Sequence, residues 1–290
     1  MRQLLTMVCF DLDALNGPLV ADLIAGGLGF EPQQISTPKS WGLRDSYCVQ
    51  RHLPQIARRD NVDGLRLRVD LLGHGSYFRV ATTPGLFQAI YWRTPVAAPA
   101  PALAQIERLT LAPGFNVAYA SDADDVAWQS ERSISNLEKV FGRSHQHLSK
   151  IHPPDARDPQ VDIYANPGAR YPFPGGWLHA GWRMWIGPRM QRHLPRQRLL
   201  RFKQAHQIRV LKRSGTVFIQ LYDDPTTVES PEARRRQHAF RQWVDLVQLA
   251  HNRQAAQRPS AGPARTPHEP GTLARRAIRG LWNVATGAWL

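Results

Sequence analysis

The stretch from Trp177 to Leu249 constrains this chain most, because turn, strand and helix signals follow one another in it without a gap. Trp177, Trp182, Met184 and Trp185 form an aromatic cluster, and Gln207–Leu211 then alternates apolar and polar residues up to Arg213-Ser214-Gly215. The return run Thr216-Val217-Phe218-Ile219-Gln220-Leu221-Tyr222 is rich in β-branched and aromatic residues, so the pair predicts a hairpin. Asp223-Asp224-Pro225 ends it. Ser230 predicts a helix N-cap with Pro231 at the first helical position, where a missing N–H is no loss. Ala233, Phe240, Trp243, Val244, Val247 and Ala250 recur at helical spacing, which lays a helix over one face of the hairpin.

Upstream, Leu4–Leu12 reads as a buried strand, and Asn16-Gly17-Pro18 opens a helix with Val20, Leu23, Ile24 and Leu28 on one face. Residues 31–63 show no sustained period and read as mostly irregular, with a short helix around Leu53–Arg59. Leu65, Leu67, Val69 and Leu71 alternate with Arg66, Arg68 and Asp70, which predicts a half-exposed strand. Gly73-His74-Gly75 then turns it into Tyr77–Ala81. Pro84–Trp92 carries an apolar face that reads as helical. The run Pro95-Val96-Ala97-Ala98-Pro99-Ala100-Pro101 favours an extended backbone of the kind that joins two structural halves. Beyond it come a short helix over Ala102–Leu111, a strand over Phe115–Ala120, and a helix capped at Ser121-Asp122 that runs to about Phe141. Val126, Ile134, Leu137 and Phe141 form its buried stripe.

The expected architecture is therefore α+β, with antiparallel sheet and helices packed on one face. Residues 1–94 and 103–252 share an order of strand, helix, irregular stretch and hairpin, which admits two similar halves although no residue-level repeat is present. Residues 253–290 differ in kind. Arg258-Pro259-Ser260 through Pro270-Gly271 holds too little apolar surface to order itself, and reads as a disordered linker. The final segment sets Arg275, Arg276 and Arg279 against Leu273, Ile278, Leu281 and Trp282, a basic amphipathic helix. Leu273–Leu290 thus offers a route to a membrane surface.

A chain of 290 residues with 42% hydrophobic content buries a large core. Its 37 Lys and Arg against 23 Asp and Glu leave a net charge of +14, which bears on partners and solubility rather than on fold. Cys9 and Cys48 supply neither a disulfide framework nor a CxxC pair, and Cys9, within the apolar run Leu4–Phe10, is expected to be buried and inert. Asp11 and Asp13 interrupt the apolar start, and no stretch approaches the length of a membrane span. The expected location is the cytoplasm.

Three patterns bear on chemistry. Between Ile163 and Tyr222 the chain holds no carboxylate but carries Arg170, Arg183, Arg189, Arg192, Arg196, Arg198, Arg201, Lys203, Arg209, Lys212 and Arg213. Trp182, Trp185 and Phe202 are interleaved with these cations. Such a mixture over residues 170–213 suits a single-stranded nucleic acid, while the same aromatics also fall where core packing would put them. His145, His147, His152 and Asp155 have the residue types of a metal site, yet they stand in a Pro- and Ser-rich stretch without an HExxH arrangement and read as solvated. Phe10-Asp11-Leu12-Asp13, after a hydrophobic strand, resembles the opening motif of haloacid-dehalogenase-like phosphotransferases. That resemblance implies Asp11 as nucleophile, Asp13 as general acid and a magnesium ion. Ala14-Leu15 follow where that family has Gly-Thr, and an acidic strand end that caps a helix is the plainer reading.

A wider resemblance rests on Trp182-Arg183-Met184-Trp185-Ile186-Gly187-Pro188, Leu199-Leu200-Arg201-Phe202, Val217–Pro225 and Arg236–Asp245. These segments resemble immunity proteins encoded beside toxins of type VI and related bacterial secretion systems. The resemblance implies a non-enzymatic α+β binder with no catalytic residue, no cofactor and no metal, whose partner is a cognate toxin. Since like charges juxtaposed at an interface cost several kcal/mol, a chain at +14 is expected to meet an acidic toxin face. Arg189, Arg192, Arg196, Arg198, Arg201, Lys203 and Arg209 are the expected contacts, arginine being frequent among binding hot spots.

Overall fold

The computed structural model describes residues 2–38, 40–42, 44–69, 75–142, 145–146, 148–152, 157–173, 175–194, 202–204 and 209–244. The linker and tail expected at 253–290 lie outside the described residues, as do His147, Asp155, Gly73 and His74.

The described chain is α+β. Strands β1 (Gln3–Phe10), β2 (Gln34–Ser36), β3 (Arg44–Ser46), β4 (Arg66–Arg68), β5 (Tyr77–Thr83) and β6 (Phe87–Pro95) come from the first half. From the second come β7 (Phe115–Asp122), the short β8 (Lys150–Ile151), β9 (Gln160–Val161), β10 (Tyr171–Phe173) and β11 (Gly176–Leu178), then β12 (Arg183–Ile186), β13 (Arg209–Arg213) and β14 (Thr216–Gln220). Ten of them form one sheet in the order β13-β14-β12-β7-β1-β6-β5-β4-β2-β3, and every neighbouring pair is antiparallel. Each half of the chain supplies a contiguous block of this sheet, and the blocks meet where β1 pairs with β7. The blocks are threaded differently: β1 lies beside β6, the last strand of its block, whereas β7 lies beside β12, with β14 inserted before β13.

The helices are α1 (Gly17–Ala25), α2 (Val49–Ala57), α3 (Ala100–Leu109), α4 (Ala123–Gln129), α5 (Ile134–Phe141), α6 (Pro188–Gln191) and α7 (Pro231–Val244). Their starts obey local rules. The Asn16 side chain accepts from Leu19 N at 3.0 Å, and Ser230 Oγ accepts from Ala233 N at 3.2 Å, so both caps satisfy donors that a first helical turn leaves orphaned.

Central strands are buried on both faces. Leu4, Val8, Phe10 and Trp92 point toward α1 and α3; Met7, Cys9, Tyr91 and Tyr119 point the other way. That second side is closed by the segment around β11. Trp177 Nε1 donates to Tyr91 Oη at 2.8 Å, the Tyr119 hydroxyl donates to the Trp177 carbonyl, and a Cβ on Gly176 would stand 2.6 Å from Val117 Cγ1, so only glycine lets this backbone approach the sheet so closely. Cys9 sits beneath it, and burial pushes its thiol pKa up to about 12, as an inert core thiol requires.

Three expectations need correction. Pro84–Trp92 is not helical: β6 runs from Phe87 to Pro95, and being covered on both faces it shows no polar alternation, which made a buried strand look like a helix face. Within residues 31–63 the short strands β2 and β3 were not expected, and the helix, α2, begins at Val49 rather than near Leu53. The helix expected from Ser121 to Phe141 is broken. Asp122 caps α4 through Asp125 N, Ser133 caps α5 through Asn136 N, and Leu137 packs with Trp128, Val161 and Ile163 while Val126 packs with Leu5. The predicted strand at Leu65–Leu71 forms as β4 over Arg66–Arg68, flanked by hydrogen bonds from Val80 N to Leu65 O at 2.9 Å and from Val69 N to Ser76 O at 3.1 Å; residues 70 and 71 lie outside the described residues.

Candidate functional site

The hairpin predicted around Ser214-Gly215 forms. Both turn residues have positive φ, 48° at Ser214 and 81° at Gly215, and Arg213 faces Thr216 across them, the geometry of a two-residue type I′ turn. Gln191 pins this turn, its Nε2 donating to Gly215 O at 2.6 Å and to Ile186 O at 2.7 Å. Strand pairing then fixes which side chains share a face. Arg183 lies opposite Gln220 and Gln220 opposite Arg209, while Trp185, Phe218 and Leu211 form the next row. With a period of two, Arg209, Leu211 and Arg213 therefore project to the same side as Arg183 and Trp185.

That side faces α3. Trp185 Nε1 donates to Glu107 Oε1 at 2.7 Å, which closes the floor of a groove of about 570 Å³ between α3 and the β12-β14-β13 end of the sheet. Arg108, Arg183, Arg209 and Arg213 line it with a single carboxylate, Glu107. Arg108 is held by Asp22. Arg183 stacks on Trp182, its guanidinium carbon 4.2 Å from the ring centroid, and donates through Nε to Gln220 Oε1 at 3.0 Å. Burial, and then the neighbouring charge of Arg209, lower the Arg183 pKa, while Glu107 pulls it back up. Among the described residues no carboxylate pairs with Arg209 or Arg213. Leu111, 69% exposed, and Leu211, 47% exposed, stand at the groove as apolar contacts.

The expected contact residues are only partly gathered. Arg209 lines the groove; Arg192 and Lys203 are exposed elsewhere; Arg196, Arg198 and Arg201 lie outside the described residues. Arg189, on α6, pairs with Asp11, whose Oδ1 also accepts from Asn116 Nδ2 at 2.9 Å. Arg183 and Arg213 were visible in the acid-free span, but Glu107 and Arg108 come from α3 and had no local signal. Nor is the span one surface, because Arg170 is buried beneath the sheet with its guanidinium 5.7 Å from the Trp177 ring.

No family model, no curated protein and no solved structure matches the chain. Its possibilities rest on geometry. The aromatics that suited base stacking are in the core: Trp185 is 2% exposed, Trp182 3% and Phe202 0%, so none offers a ring face to a nucleotide. The phosphotransferase resemblance implies a parallel sheet beside Asp11, yet β1 is antiparallel to both neighbours and Asp11 is engaged by Arg189 and Asn116. His145 contacts Glu138 at 2.9 Å, and no group of three metal-ligating residues exists among the described residues. No described helix is long and apolar enough to cross a membrane.

Next to the C-terminal end of β7 and the start of β12 lies a second charged network, which is structural. Asp125 forms a two-point ion pair with Arg234 and accepts from Gln129 Nε2 at 2.6 Å. Gln129 Oε1 in turn accepts from Gly168 N at 2.6 Å, and Gln237 carries the network on to the Ala180 carbonyl at 3.0 Å. These bonds tie α4, the 166–168 loop and α7 together.

Proposed function

We propose that this is a cytoplasmic binding protein that neutralises a secreted bacterial toxin by occupying its surface, with the α3–β13 groove receiving an acidic contact face. The observation that carries the reading is the groove itself, where Arg209 and Arg213 are exposed without a carboxylate partner among the described residues and Leu111 and Leu211 stand beside them. Exposed ion pairs contribute about 0.2–1 kcal/mol each, but the same arginines desolvated against carboxylates in an interface become hot spots. The resemblance of Trp182–Pro188 and Val217–Pro225 to immunity proteins supports the choice of a toxin as partner. The burial of Trp182, Trp185 and Phe202 favours a protein over a single-stranded nucleic acid.

Co-expression tests this. The product of a neighbouring gene should kill a host when made alone and be tolerated when this chain is present. A folded Arg183→Glu, Arg209→Glu, Arg213→Glu variant should lose that protection, and protection equal to the parent's would remove the groove from the reading.

A further inference from the structure

Strand β13 ends the ten-stranded sheet, and among the described strands it pairs only with β14. The two-residue turn makes Arg213 and Thr216 a hydrogen-bonded pair, so Arg209, Leu211 and Arg213 spend their backbone groups on β14. Val210 and Lys212, between them, therefore turn their N–H and C=O groups outward from the sheet. From this edge we infer that the partner binds by strand addition: an extended acidic segment of the toxin pairs with Val210 and Lys212 and sets alternate carboxylates beside Arg209 and Arg213. The inference rests on the binding reading above and adds how the partner is held.

Charge selects the occupant. Three of the five β13 residues, Arg209, Lys212 and Arg213, are cationic and none is acidic. Basic residues on an edge strand ordinarily keep other strands away, and a second copy of this chain paired antiparallel here would set arginine against arginine. A segment with carboxylates at alternate positions meets the opposite situation. Its side chains fall about 4.5–5.5 Å from those of Arg209, Leu211 and Arg213, on the face that Arg183 already makes positive. Main-chain bonds supply affinity and the groove supplies selection, the division of labour in strand-addition complexes generally. A nucleic acid offers no amide ladder to complete the edge.

The test uses the full chain and a fluorescein-labelled ten-residue peptide alternating glutamate and valine, followed by anisotropy. The peptide should bind, and methylating its backbone nitrogens along one edge should weaken binding by about tenfold or more, since two or three hydrogen bonds are lost at unchanged charge. Lys212→Pro removes an outward N–H without touching the ladder to β14 and should weaken binding similarly, whereas Lys212→Ala, which removes only the charge, should cost about threefold or less. Equal affinity for the methylated peptide, absence of peptide binding, or preferential binding of an oligo-dT strand each overturns strand addition. The methylated peptide decides the matter even should Lys212→Pro fail to fold. Co-expression separates the two readings: full protection by folded Lys212→Pro sinks strand addition and leaves neutralisation standing, while no protection by the parent sinks neutralisation whatever the peptide does.

Discussion

Arg234 on α7 is clamped to Asp125, stacks toward Trp128 and holds Gln237, whereas Arg209 and Arg213 on β13 point into an open groove with no carboxylate partner among the described residues. Burial lowers the Arg234 pKa and the hydrogen bonds and charge of Asp125 more than restore it, leaving it raised. One residue type thus serves two ends. Where the carboxylate is supplied by the same chain, arginine fixes the packing of α4 against α7; where the chain withholds it, the cation remains for a partner. The difference lies in surroundings rather than in the side chain, since a buried charge must be paired at folding and an exposed one need not be.

Four changes break or sharpen this contrast. Asp125→Ala should destabilise most, by about 3–5 kcal/mol, because it strands Arg234 and Gln129 without their acceptor; a urea midpoint within error of the parent's would show that the network is dispensable. Acid should come next. Burial, followed by the charge of Arg170, pushes the His179 pKa from 6.5 down to about 3, with Arg241 adding to the shift and the Gly168 carbonyl opposing it. Its folded pKa is depressed, so the stability it confers is complete above pH 6.5 and lost as pH falls from there toward 3. Between pH 7 and pH 4 the loss is on the order of 3 kcal/mol, and His179→Gln should flatten it; parallel pH profiles for parent and variant would rule the histidine out.

On the groove side the effects on stability are small. Gly215→Ala should cost about 1 kcal/mol in thermal unfolding, because φ of 81° strains any residue with a Cβ. Arg209→Glu with Arg213→Glu should leave stability within about 0.5 kcal/mol of the parent, as exposed positions do, while abolishing protection in co-expression. A large loss of stability in that pair would mean that the groove arginines serve the fold after all.

Much of the fold could be read from residues close in sequence. Ser214-Gly215 announced its turn, Asn16 and Ser230 their helices, and the alternation of β13 its pairing with β14. β6 could not be read, because a strand covered on both faces loses the alternation that marks a strand. In the candidate site, Arg209 was legible as part of an acid-free span, but Arg189 was assigned to the contact set and instead spends its charge on Asp11. Glu107 and Arg108 were silent, being ordinary residues of an amphipathic helix until Trp185 is laid against them.

The sequence alone determined the helix starts at Asn16 and Ser230, the turn at Ser214-Gly215, the buried inert Cys9 and the excess of positive charge, since each depends on neighbours along the chain or on composition. Only the tertiary structure decided that β1 joins β7, that the second face of the sheet is closed by Trp177 and its loop, and that Arg183, Arg209 and Arg213 converge opposite α3. The reason is physical. A turn or a cap is settled by hydrogen bonds within a few residues, whereas the pairing of distant strands is settled by which arrangement buries both faces of the sheet, a quantity that no short stretch of sequence carries.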